Sequence, residues 1–166
     1  MAQLSKNGIK TLKALHYVAV SCWVGTAFVL LLFNVCNKVS VSEGMLLGLN
    51  TASHKADIWI LIPGAIGCLL TGLLFALFTP WGFFKHKWLV WKWILTIACI
   101  LTGTFLLGVW EREMLSFSQS LGNMALTDVG YLAVKAKHFW LSCVQIATLL
   151  FMVIISVFRS WRSKNK

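Results

Sequence analysis

Acidic residues are scarce in this chain, proline is scarcer, and four long stretches carry no charge at all. Five Asp and Glu stand against fifteen Lys and Arg, for a formal net charge of +10. With two prolines in 166 residues and no low-complexity tract, disordered and solenoid architectures have no support. No C-x-x-C pair occurs among Cys22, Cys36, Cys68, Cys99 and Cys143. They read as small buried hydrophobes rather than redox or zinc ligands. G-x-G-x-x-G, P-loop, H-E-x-x-H and G-x-S-x-G motifs are absent, which removes the common nucleotide-binding, zinc-protease and serine-hydrolase readings. None of the uncharged stretches holds a pair of acids, which argues against a proton-coupled pump.

What the chain does have is hydrocarbon. The uncharged stretches are Ala14–Cys36, Ile58–Thr79, Trp93–Trp110 and His138–Phe158. At about 1.5 Å of helix per residue, each spans or nearly spans a hydrocarbon core about 30 Å thick. The expectation is an all-α, up-down-up-down bundle of four transmembrane helices, over about 12–36, 57–79, 90–110 and 138–159, in a single domain.

Basic residues prefer the cytoplasmic side of a membrane. Lys6, Lys10, Lys13, Lys85, Lys87, Lys92, Arg159, Arg162, Lys164 and Lys166 fall on one side of the predicted spans. Lys38, Lys55, Arg112, Lys135 and Lys137 fall on the other, with all five acids. Both termini are therefore expected in the cytoplasm, and the positive charge reflects orientation rather than nucleic acid. The first apolar segment is too long for a secretion signal and lacks a small-residue cleavage site. Tryptophans agree with these depths: Trp81, Trp88, Trp91, Trp93 and Trp161 gather inside, and Trp59, Trp110 and Trp140 outside. Trp23 lies within a span, as a packing or cofactor contact.

Between the spans, Asn37–Asp57 reads as an outer loop with Ser53 placed to cap the second helix. Glu111–Leu126 reads as an outer segment able to lie on the membrane surface as a short helix. The short inner connection Pro80–Lys92 makes spans two and three antiparallel neighbours.

Four histidines, His16, His54, His86 and His138, lie near span ends. Imidazole suits iron, and axial histidines hold b-type haem. Spans two and four run parallel, which puts His54 and His138 at one depth on the outer side, as ligands to one haem. Trp59, Phe139 and Trp140 would wall that site. On the inner side His16 is the candidate ligand, with His86 or Lys92 approaching from span three. Lys92 suits a propionate as a point charge. Copper would want Cys or Met close to His, and Met45, Met114 and Met124 are not closely spaced. Interfacial decoration is the plain alternative for each histidine.

The run from Leu12 to Gly25, LKALHYVAVSCWVG, places an aromatic residue seven positions after His16 and a glycine two beyond it. This resembles the first span of small bacterial four-helix integral membrane proteins of a domain-of-unknown-function type. More distantly it resembles the bacterial membrane protoporphyrinogen oxidases. Trp88-Leu89-Val90-Trp91-Lys92 is similar to the opening of the oxidases' third span. The resemblance implies a haem b protein with His16 as a ligand and Lys92 as a functional residue. The chain departs after Gly25, where Thr26–Leu30 replaces a leucine-proline-arginine stretch.

These readings converge on a b-type haem protein of the bacterial cytoplasmic membrane, holding one or two haems. It would transfer electrons between a quinol and a redox partner. The alternatives are a non-catalytic haem-binding or haem-handling membrane protein and a cofactor-free structural subunit.

Overall fold

The computed structural model describes residues 4–37, 44–79 and 87–162. His86, expected near the third span, lies outside the described residues, as do Lys38, Glu43, Trp81 and Lys85. Among the described residues, four long helices make up the fold, each long and apolar enough to cross a membrane. Helix α1 is Lys6–Cys36 and α2 is Met45–Phe78. Helix α3 covers residues 87–121, followed by a 3-10 turn at Gly122–Thr127. Helix α4 is Val129–Arg162. The near end of the bundle holds the starts of α1 and α3 and the finish of α4; the far end is opposite.

Local chemistry sets the ends. Ser5 accepts the Gly8 N–H at 3.1 Å and so starts α1. Gly44, at φ 79°, turns the chain into α2, and Gly122, at φ 56°, turns it out of α3. Asp128 accepts the Tyr131 N–H at 2.9 Å and starts α4.

Two π turns interrupt the helices, at Asp57–Leu61 in α2 and Gly103–Leu107 in α3. The first has a covalent cause two residues on. Pro63 has no N–H and its ring crowds the carbonyl of residue 59, one turn earlier. Widening the preceding turn lets the Ile62 N–H bond Asp57 O instead. The second π turn runs between glycines, and the Gly108 N–H bonds Gly103 O.

Helix α1 packs against α2 and α4, while α3 packs against α4 and, at the far end, against the start of α2. Lipid tails are as apolar as leucine, so close backbone approach drives such contacts. A Cβ on Gly64 would lie 2.8 Å from the Trp23 nitrogen, and one on Gly67 would lie 3.1 Å from Ala19 Cβ. The central core joins Trp23, Ala27, Ala65, Cys68, Cys99, Ile146, Leu149 and Met152. A second core at the far end joins Leu46, Met114, Ala125, Leu126, Tyr131 and Val134.

The far end departs from the expected loops. Met45–Ala56 is helical, and Ser53 is a buried interior residue of that helix rather than its cap. Gly108–Leu121 continues the third span instead of lying apart as a surface helix. The cause is tertiary: Leu46 and Met114 need the Tyr131 and Leu126 side chains to cover them.

Candidate functional site

Two buried polar centres sit inside the bundle, one toward each end. At the near-end centre, His16 Nδ1 lies 2.7 Å from Thr71 Oγ1. The threonine hydroxyl spends its one hydrogen on Gly67 O, at 2.6 Å. It therefore accepts from His16, and Nδ1 carries the ring hydrogen. The Nε2 lone pair is left for another partner, the tautomer a metal-ligating histidine uses. The ring edge meets Phe75, centroids 5.8 Å apart at 88°. Half-buried Lys92 of α3 is near enough to interact electrostatically with both His16 and Cys68. Two of the sequence candidates, His16 and Lys92, are thus brought together.

The far-end centre surrounds a cavity of about 30 Å³. Its polar lining is Asp57 of α2, Glu111 of α3, and His138, Ser142 and Gln145 of α4. Ala27, Leu30 and Ile146 supply apolar wall. Positions 138, 142 and 145 share one face of an α-helix. Gly103, Leu107 and Glu111 line the cavity at intervals of four. An α-helix over-rotates by about 40° across four residues; the wider π turn under-rotates and restores the alignment. Room is made by missing side chains. A Cβ on Gly103 would lie 3.3 Å from Gln145 Nε2, and one on Gly108 would lie 3.9 Å from Asp57 Oδ2.

Hydrogen bonds fix the orientation of His138. Asn34 Nδ2 donates to Lys135 O at 3.4 Å, and a carbonyl can only accept. The same nitrogen lies 3.2 Å from His138 Nδ1, which must therefore be the acceptor. His138 Nε2 then carries the hydrogen and is a donor. Gln145 Oε1 accepts from Thr102 Oγ1 at 3.0 Å. Glu111 is 3% exposed, and its Oε1 has no hydrogen-bond partner among the described residues. Asp57 and Glu111 interact electrostatically, and the exposed Arg112 acts on both.

By sequence alone Asp57 and Glu111 lie beyond the apolar runs, 54 positions apart and unpaired. The helices continue past those runs, and that continuation brings the two carboxylates to one cavity. Ser142 and Gln145 also escape a reading centred on histidine, although a polar stripe at 138, 142 and 145 is visible in an otherwise apolar span. His54 is half-buried, and its Nδ1 has no partner among the described residues; it does not line the His138 cavity, but it acts electrostatically on Asp57, which does. Trp59 and Trp140 are 77% and 69% exposed, so they face outward from the bundle instead of walling a site. Trp23 belongs to the central core, and its Nε1–H has no partner among the described residues.

Beyond the Asn34 layer, Asn37 Nδ2 donates to Asn50 Oδ1 at 2.9 Å. Asn50 Nδ2 in turn donates to Tyr131 Oη at 3.4 Å and Met114 O at 3.3 Å. Lys135 Nζ donates to Asn37 O. This network ties all four helices together at the far end.

Fold and composition define a multi-pass membrane protein, a four-helix transmembrane bundle with polar groups buried inside it. No protein-family model matches the chain, nor does any curated protein or solved structure.

Proposed function

We propose that this protein is a non-catalytic haem-binding membrane protein, in which His16 would hold the iron of one b-type haem. The observation that carries this reading is the Thr71 hydroxyl, which accepts the His16 Nδ1 hydrogen and leaves Nε2 basic. The donor set fits: an imidazole nitrogen for iron, and the Lys92 ammonium beside it for a propionate. When bound, haem supplies an iron centre whose potential and reactivity follow its axial ligand. Thr71 holds the ring and its tautomer, and Phe75 limits its tilt.

The far end supports haem less well. His138 presents an N–H, which has no lone pair for iron, and the cavity beside it is about 30 Å³. Pockets for organic ligands run to roughly 300–1,000 Å³. A single imidazole favours binding or handling of haem over electron transfer between quinol and a redox partner. The second reading, a cofactor-free structural subunit, is favoured by the far-end network, whose polar groups largely bond one another.

The protein purified after expression with ample haem should show a Soret band and one haem per chain. His16→Ala should abolish the band. Thr71→Val should weaken binding and Thr71→Ser restore it. Lys92→Ala should lower affinity while keeping the ligation spectrum. A preparation free of iron and porphyrin rejects the haem reading and leaves the structural subunit. We place both termini in the cytoplasm of a bacterium, on the basic bias of the near end. Single cysteines at positions 2 and 120, in a background lacking the native five, should label from opposite sides, with 120 accessible from outside.

A further inference from the structure

We propose that the far-end cavity is a binding site for one small monovalent cation of sodium's size, independent of any haem at His16. The lining is chemically specific. Asp57 and Glu111 bring two carboxylates to a space of about 30 Å³, which is the scale of one or a few waters. Glu111 Oε1 is buried and has no hydrogen-bond partner among the described residues. An unpaired buried carboxylate oxygen is costly in a membrane, and a cation at the cavity would meet it.

Charge sets the valence. Arg112, from an exposed position outside the cavity, acts on both carboxylates, and His54 acts on Asp57 as well. With the ion bound, two carboxylates against the one permanent cation, Arg112, leave a single negative charge to complement. Among the described residues, no three His, Cys, Asp or Glu side chains come together as a divalent metal site would need. Oxygen donors suit a hard cation: Glu111 and Asp57, the Ser142 hydroxyl, and the second lone pair of Gln145 Oε1, whose first takes the Thr102 hydroxyl hydrogen. His138 contributes only an Nε2–H, so it can orient a carboxylate but does not bind the ion.

The backbone supports the same conclusion. A π turn from α2 and another from α3 flank the cavity, contributing Asp57 and Leu61 from one and Gly103 and Leu107 from the other. Such turns concentrate at functional sites, and interrupted membrane helices coordinate sodium or protons in many transport folds. Gly103 keeps clear the space that Gln145 occupies. Neither π turn is needed to span the bilayer, but both are needed to align these side chains.

Thermal unfolding of the full-length protein in detergent tests the site, with sodium chloride exchanged for choline chloride at constant ionic strength. Sodium should raise the Tm saturably, by about 3–6 °C at roughly ten times the half-saturating concentration. Glu111→Gln keeps the shape, removes the charge and should lose this sodium-dependent shift. Asp57→Asn should lose it too, and it serves if Glu111→Gln fails to fold. The haem spectrum should be unaffected by sodium, which separates this test from that of the His16 site. Equal Tm in sodium and choline overturns the proposal, as does a full sodium shift in the Glu111→Gln protein. A potassium shift as large as that of sodium overturns the size assignment.

Discussion

Gly64→Ala should loosen the bundle at a close helix crossing. Gly64 sits on α2 where α1 passes, and its missing side chain is the space that the crossing uses. A Cβ there would lie 2.8 Å from the Trp23 nitrogen, 3.1 Å from the Ala19 carbonyl oxygen and 3.1 Å from Cys22 Cβ. Two of these atoms are helix backbone and cannot rotate away, so the helices must separate. Overpacking of this kind costs about 1–3 kcal/mol. The rigid neighbours place the expected loss near the upper figure, about 3 kcal/mol, or about 6–12 °C of Tm for a chain of this size. The damage should extend to the histidine. Thr71 lies seven residues beyond Gly64 on the same α2 face, so separation lengthens the His16–Thr71 hydrogen bond and weakens haem binding. Gly48→Ala is the control: it also lies in α2, but a Cβ there meets nothing within 4 Å. That substitution should be neutral or gain a few tenths to about 1 kcal/mol from helix propensity. Thermal unfolding in detergent, followed by circular dichroism, measures both. A Gly64→Ala protein as stable as the parent would refute the close crossing.

Two further predictions concern the far end. Asn34→Leu removes the donor to His138 Nδ1 and to Lys135 O, leaving a buried imidazole nitrogen unpaired. A loss of about 1–3 kcal/mol is expected, read as a lower Tm; an unchanged Tm would show that the Asn34 amide does not orient His138. Tyr131→Phe deletes the hydroxyl that accepts from Asn50 Nδ2 but keeps the fully buried ring, and should cost about 0.5–1.5 kcal/mol. Tyr131→Ala also empties the space among Leu46, Met114 and Val134, and about 3–5 kcal/mol should go with it. Similar losses for the two substitutions would mean that the ring does not pack as described.

The apolar spans are legible in the residues because a bilayer tests a local property. A run of about twenty uncharged residues can cross it whatever the rest of the chain does. The membrane depth of Trp59 and Trp140 follows from the same rule, but their facing outward, not into a site, does not. Pro63 is equally visible, and the π turn ahead of it follows from the missing N–H. His16 stands out as an imidazole inside a span, where a partner is required.

Packing decided the rest. Helix α2 begins at Met45 and α3 runs on past Trp110 because Leu46, Met114, Leu126 and Tyr131 bury one another, and they come from separate segments of the chain. That extension carries Asp57 and Glu111, apparent loop residues, to the walls of one cavity. Their meeting depends on the rotation of α2 and α3 about their axes, and although Pro63 marks the π turn in α2, no proline marks the one in α3. The histidine tautomers are also tertiary facts. His16 takes its hydrogen on Nδ1 because Thr71, 55 residues away, has none to spare, and His138 takes it on Nε2 because Asn34, 104 residues away, donates to the other nitrogen. Residue type supplies an imidazole in both places; which of its nitrogens can hold a metal depends on the atom that folding sets against it.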